Sequence, residues 1–154
     1  MTNETAPIKP LDALCDASMR LDDIYGVFAK QHGETYLSMW AIYELGTHPE
    51  GLTQKQLASA LYSPKQTVSS LIASLERRGL VRTVSSENDK RSKNHFLTEQ
   101  GERLFREVDS EQEEYEIACL QELGSERMAR MIADIDAVLT CIERKLADEG
   151  KEQR

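Results

Sequence analysis

Apolar residues recur at helical spacing along most of this chain and switch to alternation only between positions 80 and 97. From residue 11 to about 31, Leu11, Leu14, Cys15, Leu21, Ile24, Tyr25 and Phe28 fall mostly three and four apart. That spacing predicts an amphipathic helix, with Gly33 placed to close it. A second helix is predicted over 36–46, with Tyr36, Met39, Trp40 and Tyr43 on one face, and 48–51 reads as a loop. Thr53 and Gln56 then stand at the spacing of a capping box, opening a helix that turns Leu57, Ala58 and Leu61 inward. Ser63, Pro64 and Gln66 repeat that logic, with Ser63 as cap and Pro64 at the first helical position. The helix they open runs through Val68, Leu71, Ile72 and Leu75 and stops at Gly79. Two short capped helices joined by a tight turn predict a helix-turn-helix.

Residues 80–85 alternate apolar and polar and are rich in β-branched side chains, so they read as a strand. Residues 86–89 form the turn region and 93–97 the returning strand. Thr98 is placed to cap a long helix, to about 122, holding Leu104, Phe105, Val108, Tyr115, Ile117 and Leu120. Gly124 and Ser125 interrupt it. The last helix, to 147, carries Met128, Met131, Ile132, Ile135, Val138, Leu139, Ile142 and Leu146 near heptad spacing. Two helices this apolar are more than a small monomer can cover. Leu11, Leu14, Met131, Ile135, Val138 and Ile142 are therefore expected at a dimer contact, or failing that in intramolecular packing.

Charge sharpens the picture. Residues 53–98 hold eight basic side chains against three acidic ones, a net of +5 in a chain of net −8, which leaves −13 elsewhere. A basic lobe on an acidic body suits contact with DNA phosphates, the body being repelled. At 154 residues the chain can bury one real core. No apolar run approaches the roughly 18 residues of a membrane span, and no charged start followed by an apolar stretch marks a secretory leader. Cys15, Cys119 and Cys141 are odd in number and far apart, which fits a reducing compartment. The expected location is cytoplasmic.

With Val68, Leu71, Ile72 and Leu75 turned inward, the second helix of the motif presents Lys65, Gln66, Thr67, Ser69, Ser70 and Ser74 outward. Gln66 can pair with adenine through two hydrogen bonds, Lys65 suits guanine or phosphate, and the Thr67 methyl suits a thymine methyl. A merely solvated face would favour Glu or Lys, since Ser and Thr are weak helix formers. The hairpin adds Arg82 and Lys93 on its strands and Asn88, Asp89, Lys90 and Arg91 at its tip, where an Arg can enter a narrow minor groove. Asp89 is expected to brace the wing by pairing with a nearby Arg.

These residues resemble a known family. The run 52–58 (Leu-Thr-Gln-Lys-Gln-Leu-Ala), Gln66-Thr67-Val68-Ser69, the run 75–81 (Leu-Glu-Arg-Arg-Gly-Leu-Val), Asp89-Lys90-Arg91 and the run 97–101 (Leu-Thr-Glu-Gln-Gly) are similar to the MarR (multiple antibiotic resistance regulator) family. The resemblance follows element order through the whole chain and is most specific over 50–101. It implies a mainly α fold: a winged helix-turn-helix with long N- and C-terminal dimerisation helices. Residues 1–9 would be a tail and 10–147 one regulator domain, with 11–46 and 98–147 as dimerisation and effector helices and 52–98 as the DNA-binding lobe. It also implies a homodimeric repressor on a pseudo-palindromic operator in double-stranded DNA, with Thr53, Lys65, Gln66, Thr67, Ser69, Ser70, Ser74, Arg82, Lys90, Arg91 and Lys93 at the interface. The chain departs from many members, which carry Arg where it has Ser70 and Ser74.

Tyr25, Phe28, Tyr36, Trp40 and Tyr43 place five of the nine aromatic residues within 19 positions. They are expected to pack in the core; as an effector pocket, which the resemblance implies, they would take a small aromatic or anionic ligand. Peroxide-sensing relatives carry a reactive thiol on the first helix, where this chain has Cys15; a buried, inert thiol is the expectation here. A thiol-based redox repressor of the same fold and a helical adaptor that binds no DNA stay open as alternatives. His32, His48 and His95 have no metal-ligand spacing, and no phosphate loop or nucleophile elbow occurs. The sequence therefore predicts no enzyme, no cofactor, no metal and no membrane association.

Overall fold

The computed structural model describes residues 10–85 and 93–152, and the chain divides into two compact units, Met1–Asp109 and Ser110–Arg154. In chain order the elements are α1 (Pro10–Gln31), α2 (Tyr36–Thr47), β1 (Leu52–Thr53), α3 (Gln54–Ala60), α4 (Lys65–Arg77), β2 (Val81–Ser85), β3 (Lys93–Leu97), α5 (Glu99–Leu123) and α6 (Ser125–Glu152). The unit boundary falls inside α5. Among the described residues the fold is mainly helical, with one small antiparallel sheet ordered β1-β3-β2. The expected winged helix-turn-helix is present: α3 and α4 are the paired helices, β2 and β3 the wing.

The first unit is built around α4. Its inner residues Val68, Ile72 and Leu75 are buried with Leu57 and Ala58 of α3, Ala41, Ile42 and Leu45 of α2, and Leu52, Leu80, Val81 and Leu97 of the sheet region. A second cluster joins Phe28 and Ala29 of α1 to Met39 of α2 and Val108 of α5. Each fully buried Leu or Ile contributes roughly 1.5–3 kcal/mol relative to exposure. This core, rather than helix propensity, therefore fixes the short α3 and α4. Gly101 shows how closely α5 approaches: a β-carbon there would lie 2.1 Å from the Leu80 carbonyl oxygen. Only glycine fits.

The caps explain where the helices begin. Thr53 Oγ1 accepts from the Gln56 amide (3.2 Å) and the Gln56 side chain accepts from the Thr53 amide (2.9 Å), the predicted capping box. A similar box at Thr35 and Ser38, which periodicity alone did not reveal, opens α2. The expected cap of α4 is corrected: Pro64 itself is the cap residue, and the Ser63 hydroxyl donates to the Leu61 carbonyl oxygen (3.0 Å). The preceding turn directs that hydroxyl backward, so the first amides of α4 lack a side-chain acceptor. The two-residue strand β1 is also unanticipated, being too short to show alternation.

In the second unit, Gly124 (φ +81°) separates the end of α5 from α6. No described residue between 110 and 148 is buried. Leu120, Leu123, Met131, Ile132, Ile135, Leu139, Ile142 and Leu146 are all exposed. The cysteines follow the same pattern: Cys15, Cys119 and Cys141 are exposed in the single chain, where burial was expected for Cys15. The helix faces that carry them are left uncovered by the described residues. No described helix is long and apolar enough to cross a membrane.

Candidate nucleic-acid interface

Among the described residues, the outer face of α4 presents a continuous run of polar side chains. Lys65, Gln66, Thr67, Ser69 and Ser70 are exposed, while Val68 between them is completely buried. The buried stripe locks the helix roll, so the polar stripe must face out. Ser74, one turn further, is half-buried. Ser70 donates its hydroxyl back to the Gln66 carbonyl oxygen (3.2 Å), which leaves its oxygen lone pairs outward as acceptors. The start of α4 is braced by Gln54, whose side-chain amide donates to the Lys65 carbonyl oxygen (2.8 Å). Thr53, expected at the interface, spends its hydroxyl proton on Gln56 Oε1 (2.7 Å) within its cap.

The far end of α4 is anchored by charge. The Arg78 guanidinium forms a two-armed ion pair with Glu34 in the α1–α2 loop, Nη1 to Oε2 at 2.8 Å and Nη2 to Oε1 closer still. The Glu34 carboxylate is only 1% exposed, and Ser38 Oγ also donates to it at 2.6 Å. Its hydrogen bonds to Glu34 push the Arg78 pKa above its ordinary value. Arg78 is therefore committed to the fold, although it adds to the net charge of the lobe.

A polar chain, exposed at Glu76 and buried at His95, joins α4 to the wing. Thr83 donates its hydroxyl proton to Glu76 Oε1 and meets His95 Nδ1 at 2.9 Å, the two residues being direct cross-strand partners. With that proton used, Thr83 Oγ1 accepts from His95 Nδ1–H. Nε2 is buried without a hydrogen-bond partner among the described residues. Burial lowers the His95 pKa; the Glu76 charge opposes this and Lys93 reinforces it. Neither this chain nor the Glu34–Arg78 pair was legible in sequence, since each joins residues from different elements.

The two sheet faces separate the predicted wing residues. Strand alternation puts Lys93 on the face of His95 and Leu97, toward α4. Arg82 lies on the opposite face, its guanidinium 4.6 Å from the Phe96 ring centroid. Asn88, Asp89, Lys90 and Arg91, including the expected wing brace, lie outside the described residues.

The predicted aromatic group is only partly brought together. Trp40 is its hub, with ring centroids 5.9 Å from Tyr25, 6.2 Å from Tyr36 and 5.5 Å from Tyr43. Tyr43 continues to Phe105 at 6.0 Å, a member that sequence reading missed because it lies on α5. Phe28 instead belongs to the buried α1–α2–α5 cluster, edge-on to His32. Tyr36 donates to Asp22 Oδ1 (3.0 Å), and its pKa is raised by burial first and by that hydrogen bond second.

Comparison with known proteins agrees with this geometry. A family model described as the MarR family matches residues 32–92. The HTH-type transcriptional regulator YsmB of Bacillus subtilis is 30% identical over 118 residues, 70% of this chain and 77% of YsmB. The structure of NMB1585, a MarR family regulator from Neisseria meningitidis, superposes with a TM-score of 0.79 at 25% identity, covering 92% of this chain and 99% of that one. That of the Staphylococcus aureus MepR–DNA complex gives 0.76 at 27% identity, covering 87% and 98%. With fold, caps, polar recognition face and relatives in agreement, this chain belongs to the MarR family of transcriptional regulators.

Proposed function

We propose that this protein is a cytoplasmic homodimer that binds a pseudo-palindromic operator in double-stranded DNA, represses transcription, and is released by a small aromatic or anionic effector. The outer face of α4 carries the reading: exposed Lys65, Gln66, Thr67, Ser69 and Ser70 above a stripe too well packed to roll. MepR, a relative of the same fold, has been solved with DNA. In the proposed complex α4 lies in the major groove, with Gln66 and Thr67 on base edges and Lys65 on guanine or phosphate. Lys93, Lys90 and Arg91 serve the wing, and the Ser69 and Ser70 oxygens position the helix. Arg82, on the other sheet face, is the weakest member of the predicted set.

Two copies supply the specificity. Half-sites one helical turn apart, about 34 Å, require both lobes to engage together, so a small change in lobe spacing loses much of the binding free energy. The Tyr25, Tyr36, Trp40 and Tyr43 rings offer an aromatic ligand edge and face contacts of the kind seen among themselves. An effector seated there would favour a dimer whose lobes no longer match the operator.

The test is a titration of duplexes from the DNA upstream of the protein's own gene, with each base pair replaced in turn. Gln66→Ala is expected to relax preference at one or two positions, each worth roughly 1–3 kcal/mol of discrimination. Arg91→Ala should weaken all sequences alike and lower the slope of log K against log salt by about one unit. Uniform weakening by Gln66→Ala, or an unchanged slope for Arg91→Ala, would remove those two assignments.

A further inference from the structure

The turn between α3 and α4 holds a residue that the fold itself does not explain. The end of α3 is a Schellman motif: the Ser63 amide donates to the Ala58 carbonyl oxygen (3.0 Å) and the Tyr62 amide to that of Ser59 (3.2 Å). That places Tyr62 in the left-handed region, with φ +48°, the sole non-glycine residue at positive φ among those described. The same motif closes α1 and α4, where the equivalent residues are Gly33 (φ +73°) and Gly79 (φ +72°). Glycine adopts this conformation without a steric penalty, whereas a side chain meets its own backbone.

The side chain gains nothing inside the molecule to offset that penalty. Tyr62 is 97% exposed. Its hydroxyl makes no hydrogen bond and its ring no aromatic contact among the described residues, although an exposed aromatic ring is itself unfavourable in water. Two unfavourable features therefore coincide at one exposed position, three residues before Lys65 opens the outward face of α4. Strain of this kind, held where the surrounding structure gets no return, points to a partner outside the fold. In a helix-turn-helix, the turn before the groove-entering helix runs beside the DNA backbone, and tyrosine hydroxyls are among the donors that phosphates accept.

We propose that Tyr62 is a DNA-backbone contact, its phenol hydroxyl donating to a phosphate oxygen at the edge of the major groove and its ring covering the neighbouring sugar. This rests on the DNA-binding reading above. It adds a contact from the turn before α4 to a set otherwise drawn from α4 itself and the wing.

The experiment compares the full-length wild type with Tyr62→Gly, Tyr62→Phe and Lys65→Ala, on a duplex from upstream of the protein's own gene and by thermal unfolding. Tyr62→Gly should unfold at the same temperature or higher, because the strain is relieved, yet bind about tenfold more weakly. Tyr62→Phe, which keeps the ring and loses the hydroxyl, should weaken binding roughly three- to fivefold. Both should leave the salt slope unchanged, since no charge is removed, whereas Lys65→Ala should lower it by about one unit. Wild-type affinity in Tyr62→Gly, with Lys65→Ala impaired, overturns the Tyr62 contact and leaves the DNA-binding reading standing. Wild-type affinity in Tyr62→Phe alone overturns the hydroxyl-to-phosphate bond. No salt-sensitive association by the wild type overturns both.

Discussion

At the scale of single residues, the most consequential group is one that sequence did not single out. His95 is a strand residue whose neighbours along the chain predict nothing unusual, yet it is buried against Thr83 with an Nε2 that has no hydrogen-bond partner among the described residues. Its folded pKa lies below its ordinary value of 6.5, chiefly through burial. In the unfolded chain His95 gains a proton as pH falls through about 6.5, while the folded lobe resists it. Its contribution is therefore intact above that pH and declines below it. Thermal unfolding followed from pH 7.5 to 5 should show a falling melting temperature, and the fall should be shallower in His95→Gln. An equally steep fall in that variant would place the titrating group elsewhere. Residues that act alone were easier to read: Lys65, Gln66, Thr67 and Ser69 are exposed where helical spacing put them, because Val68 and Ile72 leave the helix only one way to pack. Tyr62 was missed because a positive φ has no sequence mark unless the residue is glycine or asparagine.

Elements show the same division between local and distant causes. The capping box at Thr53, the stops at Gly33 and Gly79 and the alternation of β2 and β3 depend on residues within a few positions, so they were legible. The two-residue β1 exists only because β3 pairs with it, Leu52 opposite His95, and no local pattern records that. The pairing of Glu34 with Arg78 spans 44 positions and ties the end of α4 to the α1–α2 loop. Arg78→Ala would strand a carboxylate that is 1% exposed, with the Ser38 hydroxyl as its remaining side-chain donor among the described residues. Breaking a buried pair costs roughly 3–5 kcal/mol; because Arg78 is 42% exposed, about 2–3 kcal/mol is the fitting expectation. Chemical denaturation measures it directly. Adding Glu34→Gln to Arg78→Ala should recover part of the loss by removing the buried charge, whereas a further loss of the same size would show that the two act independently.

For the whole molecule, the sequence signalled assembly through excess: more apolar helix surface than one chain can bury. The second unit bears this out, with Ile132, Leu139 and Leu146 half or more exposed and no described residue from 110 to 148 buried. What one sequence could not indicate is which of these apolar faces a second chain would cover, because that geometry belongs to two chains. In the proposed dimer, Leu139→Glu should shift sedimentation toward the single chain and weaken operator binding at least a hundredfold, since one lobe then binds without the other. Retained dimers with Leu139→Glu would move the interface off this face of α6. The acidic remainder of the chain, −13 outside residues 53–98, confines attraction for DNA to the basic lobe. The central claim is that paired basic lobes hold duplex DNA. It is tested most directly by fluorescence anisotropy of the wild-type protein on its own upstream duplex, between 50 and 200 mM salt. The account predicts a saturable complex of two chains per site whose affinity falls about a thousandfold or more over that range, as for six or more phosphate contacts. Absence of a complex at the lowest salt, or a one-chain complex indifferent to salt, would contradict it.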